Sequence, residues 1–141
     1  MHLPIALAFA LIATPATAWE IHTAKDRMTD RMETWATMRS DDSTLYVGCM
    51  NGSVQPRLTW DRRIGYGDVG ASYRFDDGPV VPRFGFVGSD GTQLYLWPMD
   101  YGEAMTKLRK GKRLRVQIGQ NFYDFDLTKG DRLPAINCAK S

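Results

Sequence analysis

The sequence predicts a mainly β protein, an antiparallel β-sandwich or partly open barrel of about eight strands with one inserted α-helix. Three turn signals, Asn51-Gly52, Asp90-Gly91 and Gly119-Gln120, each separate two alternating apolar segments, as in β-hairpins. A single segment, Asp100 to Gly111, carries clear helix start and stop signals. Many short strands with one helix are typical of sandwiches and barrels.

The chain begins with an uncharged apolar segment. Leu3–Ala13 has the length of a signal-peptide core and is too short to span a membrane, while Ala16 and Ala18 are the small residues that a signal peptidase requires. The segment departs from the usual pattern because no Lys or Arg precedes it. We expect a signal peptide over residues 1–18, with an uncleaved amphiphilic anchor or a wrongly assigned start codon as the alternatives. A single β-sandwich domain over residues 19–141 then acts in the periplasm or is secreted.

The next elements are two strands and a hairpin. Alternation predicts strands at Trp19–Thr23 and Thr34–Arg39. A two-residue turn at Asn51-Gly52 then fixes the register of the hairpin. Proline cannot donate a backbone hydrogen bond, so Pro56 predicts a sheet edge or a bulge near its position. The predicted register places Cys49 opposite Val54, Val47 opposite Pro56 and Leu45 opposite Leu58.

A further strand and a second hairpin follow. Val69–Asp76 alternates, with Tyr73 and Phe75 on one face, and Asp77-Gly78-Pro79 ends it. The Asp90-Gly91 turn predicts a strand pair that is apolar on both faces, which favours burial on both sides. An exposed aromatic patch is the alternative. The predicted pairs are Phe86 with Tyr95, Phe84 with Trp97 and Val87 with Leu94.

The predicted helix runs from Asp100 to Gly111. Asp100 and Glu103 have the spacing of a capping box, and Gly111 suits the position after the last turn. Basic residues near a helix end are favoured by the helix dipole, although they also offer contact with an anionic surface such as lipid headgroups or a glycan. These residues are Lys107, Arg109, Lys110, Lys112 and Arg113.

The third hairpin turns at Gly119-Gln120. Its register separates a face of ion pairs from a face of core residues, and a slip by one residue would mix the two. After it, Asp131–Ala139 is predicted to form a short helix that carries Leu133 and Ile136. The predicted hairpin pairs are Arg115 with Asp124, Arg113 with Asp126, Val116 with Tyr123 and Leu114 with Phe125.

Charge and cysteine content narrow the possible functions. The 18 basic and 16 acidic side chains nearly cancel, which argues against a nucleic-acid-binding protein. Two cysteines in an exported chain predict one disulfide, between Cys49 and Cys138. Closing a loop of roughly 90 residues stabilises a fold by about 4 to 5 kcal/mol in the chain-entropy model.

Catalytic and metal-binding patterns are weak. Residues 19–141 contain one histidine, His22, which leaves little room for a Ser-His-Asp triad or a zinc site. A glycan hydrolase needs only two carboxylates, for which Asp68 and Asp76 are candidates. The acidic pairs Asp41-Asp42 and Asp76-Asp77 lack the spacing of a calcium loop. We expect no enzyme activity, no cofactor and no metal.

Several short motifs occur in a characteristic order. Trp19 is followed by the strand Leu45–Cys49, the segment Tyr73–Pro79, a basic helix-to-strand region, the segment Phe122–Leu127 and Cys138. This order resembles the small periplasmic proteins of the VasI/TagO family, which are associated with type VI secretion. The resemblance spans most of residues 19–141.

The resemblance implies an exported, β-rich accessory domain without a known catalytic site. It also implies structural roles for Arg74, for Asp76 and for the two cysteines. The sequence departs from the family in its last segment, Gly130–Cys138, which is shorter than the usual terminal helix and is interrupted by Pro134. The tail is therefore expected to dock differently.

Together these features predict a non-enzymatic periplasmic accessory or binding protein. We expect another envelope protein as its partner, no nucleic acid, and no membrane span in residues 19–141. Aromatic residues beside turns or element ends are the candidate contacts, namely Trp60, Tyr66 and Tyr101. The alternative is an inhibitor of a cell-wall hydrolase that inserts the loop Arg62–Asp68 into the enzyme's cleft.

Overall fold

The computed structural model describes residues 18–50, 52–88, 90–97 and 101–138. In this part of the chain, short connections join nine strands and one helix. The elements are β1 (Glu20–Lys25), β2 (Met32–Ser40), β3 (Ser43–Met50), β4 (Ser53–Trp60), β5 (Gly67–Phe75), β6 (Val81–Val87), β7 (Gln93–Trp97), α1 (Tyr101–Lys110), β8 (Arg113–Ile118) and β9 (Asn121–Asp126).

The strands form one antiparallel ladder in the order β1-β2-β3-β4-β7-β6-β5-β8-β9. It is narrowest between β4 and β7, where the pairs from Arg57–Tyr95 to Thr59–Gln93 join two antiparallel halves. Trp60 on β4 and Tyr123 on β9 have ring centroids 5.3 Å apart, although four strands separate them in the ladder. The sheet therefore folds over on itself. Within the described residues no pairing closes it from β9 to β1, which confirms the predicted sandwich or partly open barrel.

All three predicted hairpin registers are confirmed. Cys49 lies opposite Val54, Val87 opposite Leu94 and Arg115 opposite Asp124. Gly119 has a φ of 59°, as the predicted turn requires. Asn51 lies outside the described residues, as do the side chains of Phe84, Phe86 and Trp97. The burial predicted for those three rings therefore stays a prediction.

Pro56 lies inside the sheet without interrupting it. It pairs with Val47 in an unbroken β3–β4 register, so the predicted bulge is absent. The predicted edge is present locally, because the pairing of β4 with β7 begins one residue later, at Arg57. A residue without an N–H group is tolerated where one side of a strand lacks a partner.

The last segment differs from its prediction. Residues 131–138 contain no helix, although Leu133 and Ile136 are buried as expected. Arg109 Nη2 donates to the Pro134 carbonyl at 3.4 Å, and Arg132 Nη1 donates to the Arg109 carbonyl at 3.3 Å. Proline inside such a short segment disfavours a helix, and contacts with α1 hold the extended tail instead.

The disulfide predicted from the cysteine count is present. The Sγ atoms of Cys49 and Cys138 are 2.12 Å apart, and their Cα atoms are 5.5 Å apart. The bond joins β3 to the tail across 89 positions of sequence. The end of the described chain is thereby fixed to the first half of the sheet.

One continuous core fills the folded sheet. The helix contributes Ala104, Met105 and Leu108, and Gly111 donates its N–H to the Lys107 carbonyl just after the last turn. The proposed cap, Asp100, lies outside the described residues. The strands and the flanking segments contribute the other core residues, which are Trp19, Ala36, Met38, Leu45, Val47, Leu58, Trp60, Ala71, Val87, Leu94, Leu114, Val116, Tyr123, Phe125, Leu127, Leu133 and Ile136.

Candidate functional site

The connection between β4 and β5 presents an exposed aromatic side chain. This connection, Asp61–Tyr66, is called the Tyr66 loop below. Tyr66 is 68% exposed, whereas Trp60 at the preceding strand end is buried. Gly67 follows with a φ of 61°, a conformation that glycine adopts at little cost. The chain thus leaves the core, displays one large aromatic ring and returns to the sheet.

Hydrogen bonds fix the Tyr66 loop against the neighbouring β6–β7 connection. The Ile64 N–H donates to the Gly91 carbonyl at 2.8 Å, and Ile64 packs on the core. A Cβ on Gly91 would lie 3.0 Å from the Gly65 carbonyl oxygen and 3.1 Å from Arg63 Cγ, so glycine permits this close approach. The two connections therefore form one packed unit.

Two arginines complete the Tyr66 loop. Arg62 pairs with Asp42, with its Nε 3.0 Å and its Nη2 2.9 Å from the same carboxylate oxygen, and this bond raises the pKa of the guanidinium above its ordinary value. The Arg63 guanidinium lies 5.3 Å from the centroid of the Tyr66 ring, and its Nη1 also donates to the Tyr66 hydroxyl. The exposed ring is consequently held in one orientation.

The three aromatic residues that were predicted to bind a partner differ in their exposure to solvent. Tyr66 is exposed, as a contact residue must be. Trp60 is 4% exposed, so its assignment to an interface was wrong. The β4 register places it on the core face two residues after Leu58, opposite the buried Ser43. Tyr101 begins α1, and its side chain lies outside the described residues.

The predicted ion pairs form in part. Arg115 Nε lies 3.0 Å from Asp124 Oδ1, as expected. Arg113, however, donates to Asp124 at 2.9 Å rather than to Asp126. The Asp126 carboxylate instead accepts the N–H and hydroxyl of Thr128, because it ends β9 and caps the turn that follows.

Asp76 has a structural role, although it does not act through Arg74. Its Oδ1 accepts the N–H groups of Lys112 and Arg113 at 2.7 and 2.9 Å, which ties the end of β5 to the start of β8. Arg74 approaches Asp77 instead, at 3.8 Å. Asp76 therefore bonds to backbone N–H groups rather than to an arginine.

The candidate hydrolase pair is not brought together. Asp68 lies near the start of β5 and Asp76 just after its end. The strand residues 69–75 lie between them, and at about 3.3 Å per residue they place the two aspartates about 25 Å apart. Glycosidases hold their two carboxyl groups within about 10 Å. These two aspartates therefore cannot act on one glycosidic bond in this fold.

Metal and imidazole chemistry also find little support. Among the described residues no three His, Cys, Asp or Glu side chains form a group that could hold a metal ion. His22 on β1 lies 2.9 Å from the Thr37 hydroxyl and stacks on Trp35 at a centroid distance of 5.4 Å.

The described part of the chain contains no helix long and apolar enough to cross a membrane.

A second surface was missed in the sequence. Tyr46, Arg57 and Tyr95 lie directly opposite one another on β3, β4 and β7, on the face that points away from Leu45, Leu58 and Leu94. The predicted register of the first hairpin already implied the Tyr46–Arg57 pair, because core residues lie on either side of both. The apolar alternation that predicts the hairpin identifies its core face and does not by itself indicate contacts on the opposite face.

We expect Asp126 to make the fold sensitive to acid. The bonds from the Thr128 hydroxyl and N–H hold the pKa of Asp126 below its ordinary value of 3.8. A lowered folded-state pKa stabilises the fold above the unfolded-state pKa, and this contribution is lost as the pH falls through the folded-state pKa. Urea unfolding between about pH 6 and about pH 2 tests this on wild type and Asp126→Asn. Their difference in unfolding free energy should shrink towards acid, and a constant difference would contradict the assignment.

Comparisons with known proteins give no relative from which a role can be taken. No family model, no curated protein and no solved structure matches the chain.

Proposed function

We propose that this chain is an exported, non-enzymatic binding domain whose Tyr66 loop docks on another protein of the cell envelope. The observation that carries the proposal is the Tyr66 ring, which is 68% exposed yet held by Arg63 in a loop pinned to its neighbour. Tyrosine combines an apolar ring with a polar hydroxyl, and it is enriched at protein interfaces.

The composition of the loop supports protein binding. Tyrosine and arginine are enriched among the residues that dominate interface energetics. A side chain that is already ordered loses less conformational entropy on binding, so more of the contact energy appears as affinity. The Arg63–Tyr66 pair combines both properties within one loop.

Export is supported by two independent features. Residues 1–18 have the pattern of a signal peptide, and the disulfide between Cys49 and Cys138 is of a kind that persists in oxidising compartments. On the order of its motifs, we also propose kinship with the VasI/TagO family and an accessory role in type VI secretion or related envelope machinery.

A pull-down with a matched pair of variants tests the docking proposal. Tagged wild type, Tyr66→Ala and Phe122→Ala are used as baits in periplasmic extract, with mass-spectrometric quantification. Phe122 is the control because it is 55% exposed but lies on β9, outside the Tyr66 loop. We expect a partner whose affinity falls about 30-fold with Tyr66→Ala, as for a hot-spot residue, and is unchanged with Phe122→Ala.

Some results would contradict the docking proposal. A set of recovered proteins that is the same for wild type and Tyr66→Ala would remove the loop from the interface. Release of soluble muropeptides from peptidoglycan by the purified protein would overturn the non-enzymatic assignment.

The second candidate function is inhibition of a cell-wall hydrolase by the same loop. A pinned loop with an exposed aromatic ring is also the shape that enters an enzyme cleft. Lysozyme assays distinguish the two functions. Inhibition that Tyr66→Ala relieves would favour the inhibitor, whereas no inhibition across the major lysozyme classes would exclude it and leave the docking proposal intact.

A further inference from the structure

Four side chains form a row across the outer face of the sheet. This aromatic row consists of Trp35 on β2, Tyr46 on β3, Arg57 on β4 and Tyr95 on β7, all half-buried. The Arg57 guanidinium carbon lies 4.0 Å from the Tyr46 ring centroid and 6.0 Å from that of Tyr95. At about 4.8 Å per strand, the row extends roughly 14 Å from β2 to β7.

The row has a defined arrangement because Gly48 makes room for it. A Cβ on Gly48 would lie 2.5 to 2.7 Å from the Oη, Cε1 and Cζ atoms of Tyr46, so the Tyr46 ring lies over this glycine. The β2–β3 register, with Ala36 opposite Val47 and Thr37 opposite Tyr46, brings Trp35 to the diagonal position on β2, across from Gly48. The Tyr46 ring therefore lies over Gly48, with the Arg57 guanidinium carbon 4.0 Å from its centroid.

Arg57 is a cation without a matching anion. Its Nη1 donates to the Met50 sulfur at 3.9 Å, a weak bond, and its buried Nε has no hydrogen-bond partner. Among the described residues, no carboxylate pairs with Arg57. On the same face of the sheet, Arg113 and Arg115 share Asp124. Arg113 and Arg115 thus each contact a carboxylate, whereas Arg57 in the aromatic row contacts none among the described residues.

We propose that the aromatic row is a binding site for a carboxylate-bearing oligosaccharide. A guanidinium is well matched to a carboxylate, to which it donates paired hydrogen bonds. The rings on both sides of Arg57 supply apolar contacts for the C–H groups of sugar rings. Acid sugars carry both of these groups on one compact unit.

The shape of the row favours a glycan over a protein. The anchor residues of a protein partner fill pockets at the centre of an interface. The aromatic row instead follows a face built from strands, and its length exceeds that of a single sugar ring. A linear oligosaccharide matches such a strip. The site shares no residue with the Tyr66 loop, so the result of its test does not depend on whether the docking proposal is correct.

Binding to defined glycans tests the site. The probes are oligogalacturonate, whose carboxylates belong to uronic acids, purified peptidoglycan sacculi, and neutral cellohexaose. Calorimetry measures the soluble probes, and co-sedimentation measures the sacculi. The variants are Arg57→Gln and Trp35→Leu, with Arg115→Gln as the control because this arginine lies on the same face but is paired with Asp124. Thermal unfolding verifies that each variant is folded.

We expect at least one acidic probe to bind, with affinity reduced about tenfold or more by Arg57→Gln, weakened by Trp35→Leu and unchanged by Arg115→Gln. Binding to sacculi alone would identify cell-wall glycan as the source, and binding to oligogalacturonate alone would identify a uronate polymer. Absence of binding to both acidic probes would overturn the proposal. So would equal affinity for cellohexaose, or binding that neither Arg57→Gln nor Trp35→Leu changes.

Discussion

Replacing Cys49 and Cys138 together by alanine is expected to lower the free energy of unfolding by about 4 kcal/mol. The bond closes a loop across 89 positions, and the chain-entropy model assigns about 4 to 5 kcal/mol to a loop of that size. The effect is large because the total stability of one domain is only about 5 to 15 kcal/mol. Urea unfolding of the oxidised wild type and the double variant measures it.

The same experiment contains its own check. Wild type unfolded in the presence of a thiol reductant should lose the same stability as the double alanine variant, since both lack the bond. A loss well under about 1 kcal/mol would mean that the tail from Asp131 to Cys138 contributes little to the folded state. Proteolysis confined to that tail in the reduced protein would show the same.

Trp60→Ala is expected to destabilise the fold by about 3 to 5 kcal/mol, as for other large-to-small substitutions in a core. Trp60 is 4% exposed and packs edge-to-face against Tyr123, so the change removes a contact between the two halves of the folded sheet. Its buried Nε1 has no hydrogen-bond partner. Trp60→Phe should therefore cost less, under about 1.5 kcal/mol, because it keeps a ring and removes the unpaired N–H.

Tyr66→Ala provides the matched comparison for Trp60→Ala. Tyr66 lies six positions further on and is 68% exposed, so its removal should change stability by less than about 0.5 kcal/mol. Chemical denaturation of the three variants in parallel measures these differences. Similar losses for Trp60→Ala and Tyr66→Ala would contradict the burial assigned to them.

The hairpins could be predicted because their information is local. A glycine-containing turn and the alternation on each side of it determine which residues face each other, as in the pairing of Leu45 with Leu58. The joining of β4 to β7 depends on residues more than thirty positions apart, and no turn encodes it. The register of the first hairpin already places Trp60 on the core face with Leu58, and the folding-over of the sheet buries it there, so its position beside a turn was misleading.

The ion pairs show a second limit to what can be predicted from the sequence. A register predicts which residues lie opposite each other, but long side chains also reach diagonal neighbours. Arg113 therefore reaches Asp124, while Asp126 bonds to the turn that begins beside it. The exposed Tyr66 was identified from sequence, whereas the arginine that orients it was not singled out. Contacts of this kind depend on the path of a loop, which its composition alone does not determine.

The position of Cys138 also has a consequence for the order in which the molecule is completed. A chain is synthesised from its N-terminal end, and Cys138 follows all nine described strands. Cys49 on β3 therefore remains an unpaired thiol while β4 to β9 are being added. The covalent link can form only after the last strand has arrived. A chain interrupted before that point would retain a free thiol on β3, which distinguishes it chemically from a finished molecule.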